Sequence, residues 1–181
     1  RDGDPVPEAE HHASAHGPMS LRSGLWLALV AGCASPPLEP GPAWHSLFDG
    51  QHLAPWTSVS FGGEGSVTVD QGRMVLEPGG PLTGVITDPG LPASYELRLS
   101  AVRLLGNDFF CGLTFPVRGR HLTLVLGGWG GAVCGLSSLD GLDAARNQTR
   151  TLRHFPNGVP VTVLLRVTPD RVTVDLNDAP F

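Results

Sequence analysis

The chain has 181 residues, enough for one domain and an N-terminal extension, and its 41% hydrophobic content is that of an ordinary globular protein. The 24 glycines and 17 prolines predict many turns rather than long helices. The net charge is −5 and every basic residue is an arginine, without clusters of them, so we do not expect nucleic acid as a partner.

The first 32 residues predict a tail followed by an export signal. Residues 1–18 are polar, and the three histidines among them stand in a Pro/Gly/Ala-rich segment without a scaffold to fix a metal site. Residues 19–32 begin with Met19, contain Arg22 and continue into an apolar run that is too short to span a bilayer. A buried apolar helix is the competing interpretation of this run.

The signal ends at Cys33 in the phrase VAGC, which resembles the lipobox of bacterial lipoproteins. In that class the thiol is alkylated with diacylglycerol and the preceding peptide is removed, so the resemblance implies a lipidated Cys33 and a membrane anchor. The Pro-rich residues 33–43 then act as a stiff tether. Ala34 is not the Asp that retains such proteins in the inner membrane. The resemblance therefore implies an exported protein on the outer membrane, facing the periplasm.

From residue 57 onward the pattern predicts short antiparallel strands separated by turns. Residues 66–78 predict a hairpin around Asp70-Gln71-Gly72, and residues 94–104 alternate between apolar and polar side chains, as in a strand with one face on a core. Further strands are predicted over 83–88, 109–117, 120–129 and 131–138, and a last hairpin over 159–178. About eight strands without a globular helix predict an all-β chain folded as an antiparallel sandwich or jelly roll.

Two features of this body concern its cysteines and its end. Export would permit a disulfide between Cys111 and Cys134, but each lies in an apolar run where a free, buried thiol is equally natural, and we favour free thiols. Residues 177–181 stop where the last hairpin should lead into another strand. We therefore expect that closing C-terminal strands are missing.

Residues 44–56 open the domain with a dense apolar phrase. WHSLFDGQHLAPW resembles the opening signature of the 3-keto-disaccharide hydrolase domain family, and the phrases at 66–77, 95–115 and 159–178 are similar to later parts of that family. The resemblance covers residues 44–181 and implies a concanavalin-like β-sandwich related to laminin-G modules, with 44–56 as its first strand and turn. Such a fold hosts many functions, so function must be argued from the site.

The family resemblance implies a specific chemistry. In a sugar oxidised at C3, the ketone acidifies the C2 proton; a general base removes it, the enolate expels the C1 substituent, and water adds back. This route differs from the paired-carboxylate mechanism of ordinary glycosidases. It needs a base, donors or a divalent metal for the enolate oxygen, and a platform for the sugar ring.

The catalytic candidates lie in the middle third of the chain. Asp108 is the candidate base and Asn107 a donor, although Gly-Asn-Asp also predicts a turn. His121 is the third catalytic candidate. Arg118 and Arg120 are candidates for holding an anionic enolate or sugar hydroxyls, although arginines at a hairpin turn are commonly just solvated.

The remaining substrate-binding candidates are an aromatic residue and two carboxylates. Trp129, between glycines in GGWGG, is the candidate stacking platform, with a core position as the alternative. Asp140 and Asp143 are a candidate carboxylate pair or metal ligands, although Asp-Gly reads first as a turn. The family's middle strand usually carries an acidic or amide residue followed by Asp, whereas LTLVLGGWGG has neither, a departure that favours binding without catalysis.

Three functions are compatible with these residues. The first is a lipid-anchored hydrolase of 3-keto-glycosides, with a divalent metal as the only cofactor considered. The alternative is a non-catalytic, laminin-G-like carbohydrate-binding module tethered to the membrane. The third is a tethered interaction domain without a sugar site. The expected partners are therefore a carbohydrate or keto-sugar and, through the anchor, a membrane.

Overall fold

The computed structural model describes residues 43–181, so the tail, the signal, Cys33 and nearly all of the tether lie outside the described residues. Within 43–181 the chain forms strands, turns and loops but no helix, which confirms the all-β prediction. That part of the chain accordingly contains no helix long and apolar enough to cross a bilayer. His45–Phe181 forms one compact unit.

Twelve strands follow one another in the described chain, and every pairing between them is antiparallel. They are β1 (Thr57–Ser58), β2 (Val67–Asp70), β3 (Arg73–Leu76), β4 (Val85–Ile86), β5 (Tyr95–Ala101), β6 (Cys111–Val117), β7 (Arg120–Gly128), β8 (Val133–Ser137), β9 (Thr151–Leu152), β10 (Val161–Val167), β11 (Val172–Leu176) and β12 (Ala179–Pro180). The predicted hairpins correspond to β2-β3, β6-β7 and β10-β11. The strands that sequence reasoning missed, β1, β9 and β12, have two residues each.

Two four-stranded sheets carry the core. The β10 sheet has the order β12-β11-β10-β5, and the β7 sheet has the order β6-β7-β8-β9. The other strands form two separate pairs, β2-β3 and β1-β4. The β2-β3 turn has positive φ at both Gln71 (46°) and Gly72 (76°), the conformation of a tight two-residue hairpin turn. The predicted glycine at the strained position is confirmed.

One hydrophobic cluster joins the two four-stranded sheets. Val161, Val163, Leu165 and Val167 contribute the inner face of β10, while the β7 sheet contributes buried residues that include Leu126. The predicted alternation of β10 is therefore confirmed. A hydrogen bond from the Tyr95 hydroxyl on β5 to the Pro116 carbonyl on β6 also links the two sheets.

Both cysteines of the described chain are free, as favoured from their apolar surroundings. Cys134 is fully buried and belongs to the joint cluster, against which the half-buried Cys111 packs. Burial raises the pKa of both thiols, that of Cys111 to about 11.

The apolar phrase at 44–56 does not form the first strand, so that expectation is wrong. The Asp49 carboxylate accepts hydrogen bonds from the amides of Gln51 (2.7 Å) and His52 (2.8 Å), which closes a side-chain turn instead of a strand ladder. The Trp56 indole donates to the carbonyl of Leu47 at 2.6 Å and holds the folded-back segment together. Strand pairing begins only at β1.

Candidate active and binding site

The predicted site residues lie near opposite ends of β7. Trp129 directly follows the last residue of this strand, whereas His121 is the second residue of the strand. The two positions are eight apart along the chain, which corresponds to roughly 25 Å along a strand. Asp108 lies at the Trp129 end, where its carboxylate binds the amide of Gly130. The structure therefore does not bring His121 and Asp108 together as one catalytic group.

At the Trp129 end, two loops form an exposed surface. We define the Trp129 surface as Asn107, Asp108, Phe109, Trp129 and Gly130. Trp129 is 44% exposed and Phe109 is 38% exposed. The centroids of their rings lie 5.5 Å apart, and the ring planes are tilted by 46° relative to each other. Trp129 is thus not a core residue, and two aromatic rings face solvent side by side.

The backbone at Trp129 is unusual for a residue of its size. Its φ is +47°, in the left-handed region that disfavours bulky side chains. The other six non-glycine residues with positive φ in the described chain are all polar: Gln71, Arg118, Ser138, Asp140, Asn177 and Asp178. Short polar residues tolerate such turns, and a large aromatic residue there costs conformational energy of about 1–3 kcal/mol.

Close contacts lock the two loops of the Trp129 surface together. Asp108 Oδ1 accepts a hydrogen bond from the Gly130 amide at 3.0 Å. Gly131, at φ +93°, approaches the Asn107 carbonyl so closely that a Cβ atom would lie 2.1 Å from that oxygen. Only glycine fits this position. The glycines around Trp129 therefore serve the loop contact as well as the turn.

Arg103 fixes the loop that carries Asp108, and sequence reasoning missed this residue. Its guanidinium donates to Asn157 Oδ1 (2.7 Å), to the Phe155 carbonyl (2.7 Å) and to the Asp108 carbonyl. The Asn157 amide donates in turn to the Gly106 carbonyl at 2.9 Å. Nothing in the sequence distinguishes Arg103 from the other arginines. Two of its acceptors lie about 50 residues further along the chain, and the third is a backbone carbonyl in the following loop.

The two carboxylate oxygens of Asp108 differ in their hydrogen bonding. Oδ1 is occupied by the Gly130 amide, whereas Oδ2 has no hydrogen-bond partner within residues 43–181, and the side chain is exposed. The Asn107 side chain is exposed beside it. The two residues can therefore accept from and donate to a bound molecule at the edge of the aromatic rings.

The opposite end of β7 holds the basic candidates. Arg118, Arg120 and His121 line a cavity of about 220 Å³ together with Asp140. The Arg118 guanidinium also lies 3.4 Å from the Asp170 carboxylate, and both side chains are mostly exposed. Such exposed pairs contribute little to stability. These four candidates share one cavity, but that cavity does not include any residue of the Trp129 surface.

Asp143 lines a different cavity, of about 370 Å³, with Arg146. The Arg146 guanidinium binds Asp143 Oδ2 at 2.9 and 2.6 Å and lowers the pKa of that carboxyl group. Asp140 and Asp143 therefore do not face each other across one cavity. Within the described chain, no three His, Cys, Asp or Glu side chains are grouped as ligands for a metal ion.

Comparisons of the chain with protein-family models, with curated proteins and with solved structures found no match.

Proposed function

We propose that the chain binds carbohydrate at the Trp129 surface. The observation that carries the proposal is the exposed Trp129, which has a left-handed backbone conformation in a loop that is held against the loop of Asp108. Strained residues of this kind concentrate at functional sites, where the surrounding structure holds them in place. An exposed ring that stabilised only the fold would not need this conformation.

The chemistry of the surface matches a sugar ring. The apolar C–H face of a pyranose can stack on Trp129 and Phe109, whose rings present a tilted apolar shelf. The hydroxyl groups at the sugar rim can donate to Asp108 Oδ2, while the Asn107 amide supplies a donor and an acceptor. Apolar contact with a few placed polar groups is the usual composition of a small-molecule site.

Removing the Trp129 side chain tests this proposal. We expect the wild-type chain to bind members of an oligosaccharide panel, and Trp129→Ala to weaken binding about tenfold or more, because the stacking surface is lost. Phe61→Ala is the matched control, since Phe61 is similarly exposed (41%) but lies in the segment between β1 and β2. Calorimetry gives the affinities. Equal binding by wild type and Trp129→Ala would overturn the proposal, as would the absence of any bound glycan.

We propose hydrolysis of 3-keto-glycosides as the second candidate function, because the free oxygen of Asp108 lies beside the aromatic shelf. Asp108 would take the C2 proton, and the C2–H electrons would form the enolate of the C3 ketone. The enolate would then expel the C1 oxygen, which takes the proton held by Asp108 and leaves as the second sugar. Addition of water across C1 and C2 completes net hydrolysis. Asn107 would donate to the enolate oxygen, whereas His121 lies near the other end of β7 and would not take part.

Asp108→Asn separates the two functions. We expect the wild-type chain, with divalent metal ions present, to release the reducing-end sugar from a 3-keto-disaccharide, and Asp108→Asn to lose at least about a hundredfold in rate. The substitution keeps the acceptor for the Gly130 amide and leaves the aromatic shelf intact, so sugar binding should weaken far less than the rate, by the loss of one acceptor. If the wild type binds sugar but releases nothing, the chain is a binding module.

The lipid anchor at Cys33 and the outer-membrane location complete the proposal and rest on the signal layout.

A further inference from the structure

The outer edges of the two four-stranded sheets differ in how they are protected. β9 and β12 have only two residues each, and β12 contains Pro180. The β6 edge contains Pro116 and Gly112. Short strands, prolines and glycines all discourage further strand pairing. The fourth edge strand, β5, has seven residues and contains neither glycine nor proline.

β5 presents a regular, unpaired edge. It pairs with β10 over seven consecutive residues without a bulge, and no strand of the described chain pairs with its other side. Its inward residues are only half-buried, although the β10 residues opposite them are almost fully buried; Leu97 faces Leu165, and Leu99 faces Val163. A further strand on this edge would cover the apolar side chains that β5 leaves partly exposed.

The sequence around β5 is nearly symmetric about Leu97. Residues 93–101 read ASYELRLSA, so an antiparallel copy centred on Leu97 places Ala opposite Ala and Ser opposite Ser. The same register places Tyr95 opposite the partner's Leu99, an aromatic–aliphatic pair on the inner face. It also places Glu96 opposite the partner's Arg98 on the outer face. Both kinds of cross-strand pair are stabilising.

The charges on the outer face of the β10 sheet continue this pattern. Arg166 on β10 binds Asp175 of β11 at 2.6 Å and Glu96 of β5 at 2.9 Å. The partner's Arg98 would extend the row, so that Glu96 would lie between two guanidinium groups. Within its own chain the Arg98 guanidinium lies 3.4 Å from the Asp178 carboxylate, and both side chains are more than half exposed. Exposed ion pairs of this kind contribute little to stability.

We propose that two copies of the chain associate through β5, antiparallel about a two-fold axis at Leu97. The β10 sheets of the two copies would then form one continuous eight-stranded sheet. Its order would be β12-β11-β10-β5 in one copy, continued by β5-β10-β11-β12 of the partner. The self-complementary sequence selects a second copy as the occupant, because a two-fold interface requires the same surface on both partners.

The register can be tested with single cysteines. In a chain carrying Cys33→Ser, Leu97→Cys would face the partner's identical residue at a Cα separation of about 4.5–5.5 Å, which a disulfide can bridge. Leu99→Cys is the matched control: two such residues would lie four positions out of register, roughly 13 Å apart. We expect mild oxidation to give a covalent dimer with Leu97→Cys and not with Leu99→Cys. Equal cross-linking, or none at position 97, overturns the register.

Charge reversal tests the interface in solution. Sedimentation equilibrium should show a dimer of about twice the 19.0 kDa chain mass. We expect Arg98→Glu to weaken dimerisation roughly tenfold, because it replaces two attractive pairs by two repulsive ones. Arg73→Glu, on β3, is the control and should leave the dimer unchanged. A monomeric wild type, or a dimer that Arg98→Glu does not weaken, overturns the proposal. Neither result depends on whether the Trp129 surface binds sugar.

Discussion

At the scale of single residues, the Glu64 carboxylate organises the turn that precedes it. Its Oε2 accepts hydrogen bonds from the amides of Phe61 (2.8 Å), Gly62 (2.9 Å) and Gly63 (3.1 Å). Its own amide has the largest effect, followed by that of Gly63, and together the amides lower the pKa of Glu64 from 4.5 to about 2. Because the pKa in the folded state is lowered, these bonds add stability that is complete above pH 4.5 and lost as the pH falls towards 2.

Glu64→Gln should therefore change how stability depends on pH. We expect the variant to melt at a lower temperature than wild type at pH 7, because the neutral amide accepts weaker hydrogen bonds from the three amides. The difference should shrink as the pH falls below 4.5. Melting temperatures between pH 7 and pH 3 measure it, with Glu77→Gln as the control at a nearby exposed carboxylate. A melting difference that stays constant over this range contradicts the assignment.

The candidate site shows how far single residues could be predicted from the sequence. The exposure of Trp129 was one of two alternatives that the flanking glycines left open, and the structure decides for it. The sequence did not reveal that His121 and Asp108 lie at opposite ends of β7, because it does not say at which end of a sheet a loop such as the one carrying Asp108 lies. The role of Arg103 could not be predicted for a similar reason. It binds backbone carbonyls, and every residue has one, so the sequence does not mark them as acceptors.

At the scale of elements, side chains complete the edge of the β7 sheet beside β8. The strand β9 pairs with β8 over only two residues. Beyond it, Asn147 Nδ2 donates to the Leu136 carbonyl at 2.7 Å, and the Thr149 hydroxyl accepts from the Leu136 amide at 2.9 Å. Asn147 Oδ1 also accepts from the amide (2.9 Å) and the hydroxyl (2.6 Å) of Thr149. Two side chains thus act as a substitute strand.

Asn147→Ala should disrupt this edge. Asn147 is 9% exposed, and the substitution leaves the Leu136 carbonyl and the Thr149 amide without their partner, so we expect the free energy of unfolding to fall by about 2–4 kcal/mol. Urea denaturation measures the change. Gln148→Ala removes the exposed neighbouring amide and should change stability by less than about 0.5 kcal/mol. Similar effects of the two substitutions would refute a structural role for Asn147.

Elements were predictable where one face of a strand is buried and the turn has a definite chemistry. The hairpins β6-β7 and β10-β11 meet both conditions, since each buries one face and their turns contain Gly or a Pro-Asp pair. The residues of β2-β3 are at most half-buried, and this hairpin was predictable from its Asp-Gln-Gly turn. Residues 44–56 do not meet the first condition. Their apolar side chains do not alternate, and the Asp49 side chain binds backbone amides that a strand would need for its ladder.

At the scale of the whole molecule, the fold depends on one cluster shared by the two four-stranded sheets. Buried residues occur only from Phe110 onward in the described chain, and those of β10 are central among them. Leu165 is 0% exposed, pairs with Leu97 on one side and Val174 on the other, and belongs to the joint cluster. The Leu165 side chain therefore contributes to the packing between the two sheets.

Leu165→Ala should consequently destabilise both sheets together. We expect a loss of about 3–5 kcal/mol in the free energy of unfolding, because a cavity opens where neighbouring strands cannot collapse. Tryptophan fluorescence and far-ultraviolet circular dichroism should still give coincident urea transitions, since one cluster serves both sheets. Leu105→Ala, at a side chain 72% exposed, should leave the midpoint nearly unchanged. Two separate transitions in Leu165→Ala would mean that each sheet holds its own core, contrary to the shared cluster.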